Sequence, residues 1–249
     1  MTGKLPEVDA SRPQETGDGS LTLGWEHSHV TYRSTYGAWT ESNHVFVRGA
    51  RVFDVARPAV FEFGLGAATN FFATLQALYD HPSVDHLDYH ALESAPLSED
   101  LFTTLVESYP VSANLREAGL RLLKSAIESG LGVTEHLPSG QTIELKVTVQ
   151  SGLPALQPQH YTSIYFDPFG PRDNPDAWSR DVFSALSQTL TADGILSTYA
   201  AASEPRRAMV HAGLVVAREH GAGGKREMTI ASKSEERLQG LTIWPKKLK

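Results

Sequence analysis

The sequence predicts an α/β fold: a Rossmann-like, mostly parallel sheet closed by an antiparallel hairpin, with a small strand-rich N-terminal extension. Three observations predict it. From residue 58 onward, short apolar runs alternate with segments of helical period, which is typical of a parallel sheet with helices on both faces. A glycine turn, Gly64-Leu65-Gly66, follows the first apolar run. Residues 215–219 and 226–232 are two consecutive strand-like runs with no helix between them.

Composition divides the chain into four parts. Residues 1–20 are rich in Pro, Gly, Ser, Thr and Asp and are predicted to be a disordered tail. Residues 21–56 alternate Gly, aromatic and β-branched residues, which predicts a β-rich extension with residues 44–49 as one arm of a hairpin. The α/β domain covers residues 57–235, and residues 236–249 are predicted to be a basic tail.

Strands and helices alternate along the α/β domain. Apolar or strictly alternating runs predict strands over residues 59–63, 87–92, 142–149, 163–166, 195–199, 215–219 and 226–232. Apolar residues at helical spacing predict helices over residues 70–80, 98–109, 114–129, 173–190 and 204–212. Ser98 is a suitable N-cap for the second of these helices, and Pro175 suits the first turn of the fourth.

Composition also excludes several classes of protein. The 249 residues contain no cysteine, so disulfides and thiolate zinc sites are absent. No apolar run is long enough to span a membrane, and the polar N-terminus does not resemble a signal peptide, so we predict a cytoplasmic protein without membrane association. The net charge of −7 argues against broad non-specific binding of nucleic acid.

The segment from Ile164 to Trp178 is the most informative part of the sequence. Its apolar run ends in Asp167, which is followed by a loop rich in proline. In parallel α/β sheets, ligands bind beyond the carboxyl ends of the strands, so a carboxylate there is a candidate catalytic group. The segment alone also permits a simpler interpretation, in which the acid caps its own turn.

A second acid is predicted near the glycine turn. Gly64 and Gly66 allow a tight turn and close approach of a ligand, but Thr69 stands where dinucleotide-binding proteins have a third glycine. Glu93 ends the second strand of the domain, where an acid can bind ribose hydroxyls. The pair favours a nucleoside cofactor without a pyrophosphate, and S-adenosyl-L-methionine is the obvious candidate. An ordinary structural acid at Glu93 remains the alternative.

Asp167 would then face the methyl group of such a cofactor. Methylation of an amine requires its neutral lone pair, and a nearby carboxylate can orient the amine and accept its proton. Phe169 and Trp178 could stack on a nucleobase, although core packing is the simpler interpretation of Trp178.

Five ordered motifs resemble those of the tRNA 5-aminomethyl-2-thiouridine methyltransferases of the MnmC and MnmD type. An opening motif and the glycine turn are similar to that family's first two motifs, and a second-strand motif, the Asp167 loop and a closing Gly-x-Lys-Arg-Glu-Met motif follow. The motifs are residues 35–47, 62–71, 91–98, 167–178 and 224–228. They extend over most of the chain, without the flavin-dependent oxidase domain that some members carry.

The resemblance implies a class I methyltransferase that uses S-adenosyl-L-methionine to methylate the 5-aminomethyl group of a modified wobble uridine in tRNA. By motif position, it implies that Asp167 is catalytic. The cofactor contacts that it implies are Glu41, Glu62, Gly64, Gly66, Asn70, Glu93 and Asp167. A separate oxidase, or the enzymes that form the aminomethyl group, would be possible partners.

Some positions depart from the family pattern. The cofactor loop has Ala67-Ala68-Thr69 in place of the usual Thr-Gly-Leu. A Gly-Asp pair that serves the adenine is missing, and Gln150 or Ser151 is predicted to replace it. These differences leave open a methyltransferase for another nucleoside or a small amine, or an inactive relative that still binds the cofactor.

Basic residues near the C-terminus are candidates for tRNA binding. Arg206, Lys225 and Arg226, together with Phe169, are predicted to contact the substrate, and a solvated helix face is the alternative for the basic ones. No metal site is predicted, because His27, His29 and His44 have no acidic partner at a metal-binding spacing.

Overall fold

The computed structural model describes residues 11–25 and 30–244. A nine-stranded sheet forms the centre of the fold, and a separate two-stranded sheet lies in the N-terminal segment. The strands of the large sheet have the spatial order β11-β9-β10-β8-β7-β3-β4-β6-β5. Their bounds are β3 Ala59–Phe63, β4 His86–Glu93, β5 Val133–His136, β6 Thr142–Val149, β7 Tyr161–Phe166, β8 Leu190–Thr198, β9 Val215–His220, β10 Glu227–Ser232 and β11 Thr242–Ile243.

The pairing of the strands confirms the predicted fold class. The five strands β6, β4, β3, β7 and β8 pair parallel with one another in that order, and β9 and β10 form an antiparallel hairpin that pairs with β8 through β10. All five residues of β3 are buried, as expected of a central parallel strand with both faces covered. The short antiparallel strand β5 was not predicted, since its sequence Val-Thr-Glu-His has no apolar run.

In the described part of the chain, six α-helices connect or precede these strands. Serine N-caps begin three of them: the hydroxyl oxygens of Ser98, Ser112 and Ser179 accept hydrogen bonds from backbone amides in the first turn. The bounds are α1 Ala38–Glu41, α2 Thr69–Tyr79, α3 Glu99–Glu107, α4 Ala113–Ser129, α5 Arg180–Thr189 and α6 Ser203–His211.

Two buried apolar clusters cover opposite faces of the sheet. One contains side chains of α2, α3 and α4, and the other contains side chains of α5 and α6. Gly119, inside α4, lies against the ring of Phe72. A larger residue would not fit there, because an added Cβ would be 2.5 Å from Cε1 of Phe72. Among the residues that the structure describes, no helix is both long and apolar enough to cross a membrane.

The N-terminal segment differs from its prediction first in the part that was predicted to be a disordered tail. Within the predicted disordered tail, Ser11–Glu15 forms strand β1, which pairs with β2, Leu21–Trp25, and residues 1–10 lie outside the described part of the chain. The carboxylate of Asp18 holds the turn between these strands, since it accepts hydrogen bonds from the backbone amides of Ser20 and Thr40.

The prediction of a hairpin arm at residues 44–49 is wrong. Ser42–Arg48 is a π-helix that continues α1. Its apolar residues Val45 and Phe46 are buried in the core, and the ring of Phe46 lies 5.5 Å from that of Tyr165. Burial against the sheet therefore overrides the strand preference of these residues.

Three boundaries of the α/β domain also differ from the sequence prediction. The helix expected over residues 173–190 is a 3₁₀ turn, Pro175–Trp178, followed by α5. The turn expected at residues 193–194 lies inside β8, where its pairing with β7 is irregular. Part of the expected basic tail is ordered, since residues 242–243 form β11 at the edge of the sheet; residues 245–249 are not described.

Candidate active site

A large cavity lies at the carboxyl ends of the parallel strands. Its volume is about 1320 Å³, and it is lined by the segments that follow β3, β4, β6 and β7. Residues 30–36 of the N-terminal segment form another part of its wall. The cavity therefore occupies the place where parallel α/β sheets bind ligands.

The glycine turn after β3 forms one wall of the cavity. Gly64 and Gly66 have φ angles of 95° and 52°, which glycine adopts without strain. Their neighbours also leave no room for a side chain: an added Cβ would lie 2.9 Å from the Asp167 carbonyl oxygen at Gly64 and 2.9 Å from Cδ1 of Tyr32 at Gly66. Thr69, in place of a third glycine, is buried with its hydroxyl on Tyr109, so it does not narrow the cavity.

Glu93 lies beside this turn at the end of β4. Its Oε2 accepts a hydrogen bond from the backbone amide of Gly66 at 2.8 Å. Its Oε1 accepts from the amides of Ser94 and Ala95 at 2.7 and 2.9 Å. Each carboxylate oxygen can accept two hydrogen bonds, so Oε2 keeps a free acceptor position for a hydroxyl group in the cavity.

Gln150 and Ser151, the residues predicted to replace the missing Gly-Asp pair, line the same end of the cavity. The backbone amide of Gln150 donates to the carbonyl oxygen of Glu93 at 3.0 Å, which fixes this loop next to β4. Both residues are exposed, and the Gln150 side chain donates to the carbonyl of Gly152 at 3.2 Å.

Asp167 is part of a buried charge cluster after β7, on the other side of β3 from Glu93. Its Oδ2 forms an ion pair with Arg33 and accepts a hydrogen bond from Asn70 Nδ2 at 3.0 Å. Asn70 Nδ2 also donates to Glu62 Oε1 at 2.8 Å, and the Tyr89 hydroxyl donates to Glu62 Oε2 at 2.8 Å. Arg33 thus lies near both buried carboxyl groups, with a 3.9 Å distance between its Nη2 and Glu62 Oε1.

Burial dominates the acid–base properties of this cluster. Burial raises the pKa of Asp167 to about 7, although Arg33 beside it lowers the value. Burial likewise raises the pKa of Glu62 to about 8, with Arg33 again opposing the shift. Burial lowers the pKa of Arg33. The neighbouring acids raise it by more, with Asp167 contributing most, so the net change is an increase. Asp167 can therefore exchange a proton near neutral pH, whereas Glu62 keeps its proton at pH 7.

Glu41, in the opening motif at residues 35–47, forms an ion pair with Lys225, in the closing motif at residues 224–228. It is buried and lines the cavity, where its Oε2 accepts a hydrogen bond from the backbone amide of Ser34 at 3.0 Å. Its Oε1 accepts from Lys225 Nζ at 2.6 Å, and the same ammonium group lies 5.0 Å from the centre of the Tyr199 ring. This ion pair ties the N-terminal segment to the loop before β10.

An aromatic cluster forms a further part of the wall. The ring of Phe169 lies 5.2 Å from that of Tyr32 and 6.0 Å from that of Trp25. Phe169, which is predicted to contact the substrate, lines the cavity, and so do Trp25 and Tyr32, for which there is no prediction from the sequence. Trp178 is a core residue, with its ring against Phe166, in agreement with the simpler interpretation of its sequence position.

Four predicted site residues lie elsewhere. Glu62 and Asn70 are fully buried behind Asp167 and do not line the cavity in this structure. Arg206 was predicted to contact tRNA, but it is 3% exposed and its guanidinium binds Thr229, Glu227 and the Met228 carbonyl. A buried guanidinium that holds β10 is not available to phosphate. Arg226 is exposed and lines a smaller, neighbouring cavity together with Lys225.

The sequence contained little signal for Arg33. It stands between two polar residues and has no spacing that indicates burial, yet it is 5% exposed next to Asp167. The histidines considered for metal binding do not meet in the described residues: His44 bonds the His220 carbonyl, while residues 26–29 are not described. His86, Asp88 and Glu144 approach one another at the amino ends of β4 and β6, away from the cavity.

Comparisons with known proteins agree with this geometry. A family profile described as "S-adenosyl-L-methionine-dependent methyltransferase" matches residues 113–234. The chain is 28% identical over 221 residues to the tRNA 5-methylaminomethyl-2-thiouridine biosynthesis bifunctional protein MnmC of Burkholderia vietnamiensis, covering 86% of this chain and 33% of the relative. The MnmC protein of Burkholderia multivorans is 31% identical over 214 residues, covering 80% and 31%. The chain thus spans about a third of the length of these curated relatives.

Solved structures share the fold. MnmC2 from Aquifex aeolicus superposes with a TM-score of 0.72 at 22% identity, covering 94% of this chain and 76% of that one. Spermidine synthase from Thermotoga maritima has a TM-score of 0.51 at 13% identity, covering 95% and 74%. The chain therefore belongs to the S-adenosyl-L-methionine-dependent methyltransferases. Within them, it is a methyltransferase domain of the MnmC type.

The residues around the cavity fit this cofactor. Gly64 and Gly66 line the cavity, and Glu93 offers an acceptor for ribose hydroxyls. Beside Asp167, Nη1 of Arg33 is a buried donor without a partner among the described residues, and it suits an acidic group. Gly64, Gly66, Glu93, Gln150 and Ser151 would hold the nucleoside end, and Asp167 would lie at the end where the methyl group is transferred.

Proposed function

We propose that the chain methylates the 5-aminomethyl group of a modified wobble uridine in tRNA, giving 5-methylaminomethyl-(2-thio)uridine. The observation that carries the proposal is the place of Asp167: its carboxyl group is buried on the wall of the cavity after β7, held by Arg33 and Asn70, and burial raises its pKa to about 7. The curated relatives, which are named for the biosynthesis of this nucleoside in tRNA, supply the substrate.

Asp167 would act on the proton of the acceptor amine. When bound, S-adenosyl-L-methionine supplies an electrophilic methyl group. A free alkylamine is mostly protonated at pH 7 and has no lone pair to offer, since its pKa resembles that of lysine at about 10. Asp167 would accept one amine proton and orient the neutral nitrogen, while Arg33 and Asn70 fix the carboxylate in one position. Holding both reactants in this orientation would supply much of the rate.

The rim of the cavity offers groups for the RNA. Phe169, with Tyr32 and Trp25, presents aromatic rings on which a base could stack. Lys225, which lines the cavity, and Arg226, which lines the smaller cavity next to it, are exposed and could pair with phosphates. We further propose a cytoplasmic location, and association with a separate oxidase or with the enzymes that form the aminomethyl group.

Mass spectrometry of tRNA nucleosides tests this proposal. tRNA that carries the 5-aminomethyl group is incubated with the protein and with S-adenosyl-L-methionine whose methyl group is deuterated. We expect the 5-aminomethyl nucleoside to disappear and a deuterium-labelled 5-methylaminomethyl nucleoside to replace it. Free 5-aminomethyluridine serves as a second acceptor. Label on the free nucleoside but not on tRNA would contradict the tRNA substrate, and label on neither, with the cofactor bound, would contradict the reaction.

A further inference from the structure

Arg33 has a hydrogen-bonding group that the protein does not use. Its side chain is 4% exposed and forms part of the cavity wall. Nη2 contacts Asp167 and lies 3.9 Å from Glu62, whereas Nη1 is buried with no hydrogen-bond partner among the residues that the structure describes. A buried donor without a partner has lost its hydrogen bonds to water, so a ligand group that accepts from it binds favourably.

The charges around Arg33 indicate what that ligand is. Burial raises the pKa of Glu62 to about 8 and that of Asp167 to about 7, so near neutral pH the two acids only partly balance the guanidinium charge. A guanidinium group binds carboxylates through paired N–H donors on adjacent nitrogens, and it can hold two acids at once through different nitrogens. An additional carboxylate would both satisfy Nη1 and balance the remaining charge.

We propose that Arg33 binds the carboxylate of the methionine moiety of the cofactor through Nη1, while Nη2 remains on Asp167. Arg33 thereby selects S-adenosyl-L-methionine against its decarboxylated form, and it connects the bound cofactor to the residue that receives the amine proton. The inference rests on S-adenosyl-L-methionine as the cofactor and does not depend on tRNA as the acceptor.

Binding calorimetry without any acceptor tests this inference. S-adenosyl-L-methionine and decarboxylated S-adenosylmethionine are each titrated into the wild-type protein, into Arg33→Lys and into Arg116→Lys. Lysine at position 33 keeps a positive charge for Asp167 but has a single nitrogen, so it cannot hold two acids in the same geometry. Arg116 is the matched control, because it also has a buried nitrogen without a partner among the described residues but does not line the cavity.

We expect the wild-type protein and Arg116→Lys to bind S-adenosyl-L-methionine about 10- to 100-fold more tightly than the decarboxylated form, the usual range for a hydrogen bond to a charged group. In Arg33→Lys this ratio should fall toward one, through weaker binding of S-adenosyl-L-methionine. An unchanged ratio in a folded Arg33→Lys, or equal binding of both compounds by the wild type, would overturn the inference. If Arg33→Lys does not fold, Arg33→Gln is titrated instead; its amide removes the charge and keeps only one nitrogen, so the ratio should again fall toward one. A wild type that binds neither compound would instead contradict the cofactor.

Discussion

Glu93 and Asp167 are acids at the carboxyl ends of two parallel strands that flank β3, and both line one cavity. Glu93 is partly exposed and accepts hydrogen bonds from three backbone amides. Asp167 is held by side chains, an arginine and an asparagine, in a site where burial raises its pKa to about 7. Two acidic residues at equivalent strand ends thus have different surroundings, which suit Glu93 and Asp167 to different tasks.

The difference shows how surroundings decide what a carboxylate can do. Backbone amides bind the charged form of Glu93 and offer it to hydroxyl groups, which suits recognition of a ribose. A dry environment disfavours the charged form of Asp167, which suits the uptake of a proton. We therefore expect changes at Asp167 to affect the rate of methyl transfer, and changes at Glu93 to affect the affinity for the cofactor.

Asp167→Asn should have the largest effect. Asparagine keeps the size of the side chain and an oxygen for Arg33 but cannot accept the amine proton, so single-turnover methyl transfer should fall by about 10²- to 10⁴-fold. The affinity for S-adenosyl-L-methionine, measured by calorimetry, should change little. Thermal unfolding of the variant checks that Arg33 has not destabilised the fold. A folded variant with the wild-type rate would remove Asp167 from the mechanism.

Glu93→Gln should show the reverse behaviour. The amide keeps one oxygen acceptor but loses the negative charge, so the affinity for the cofactor should fall by about 10-fold. The rate at saturating cofactor should remain close to that of the wild type. If the rate fell while the affinity did not, the division of tasks between the two acids would be wrong.

The division of tasks was partly predictable from the sequence. Asp167 and Glu93 each end an apolar run, and the ends of parallel strands must meet at one edge of a sheet. Arg33 was missed because the burial of a charge depends on partners that are distant in sequence, here Asp167 and Glu62. Arg206 was misassigned for the same reason, since nothing local shows that it turns inward onto β10.

Glu62→Gln should change how stability depends on pH. Burial raises the pKa of Glu62 from 4.5 to about 8, so the folded protein holds a proton that the unfolded chain releases. This contribution to stability is complete below pH 4.5 and is lost as the pH rises through about 8. Glutamine resembles the protonated form, so chemical denaturation should show a flatter pH dependence, by on the order of a few kcal/mol. Parallel wild-type and variant curves would contradict the raised pKa.

Lys225 and Arg226 should contribute smaller, salt-dependent effects. Replacing Arg226 with glutamine should weaken tRNA binding a few-fold at low salt and reduce the slope of log affinity against log salt by about one, as for loss of one phosphate contact. Lys225→Gln should do the same and also release Glu41. Arg207→Gln, on exposed α6, is the control. Equal slopes in all three variants and the wild type would exclude this rim as a tRNA contact.

The pH dependence of single-turnover methyl transfer tests the role of Asp167 most directly. With cofactor and 5-aminomethyl tRNA saturating, the wild-type rate should rise with pH and become constant above about 7, because deprotonated Asp167 receives the amine proton within the site. In Asp167→Asn the amine must lose its proton to water, so the rate should continue to rise toward the pKa of the amine at about 10. A wild-type rate that rises without a plateau, or a variant that shares the wild-type profile, would contradict the account.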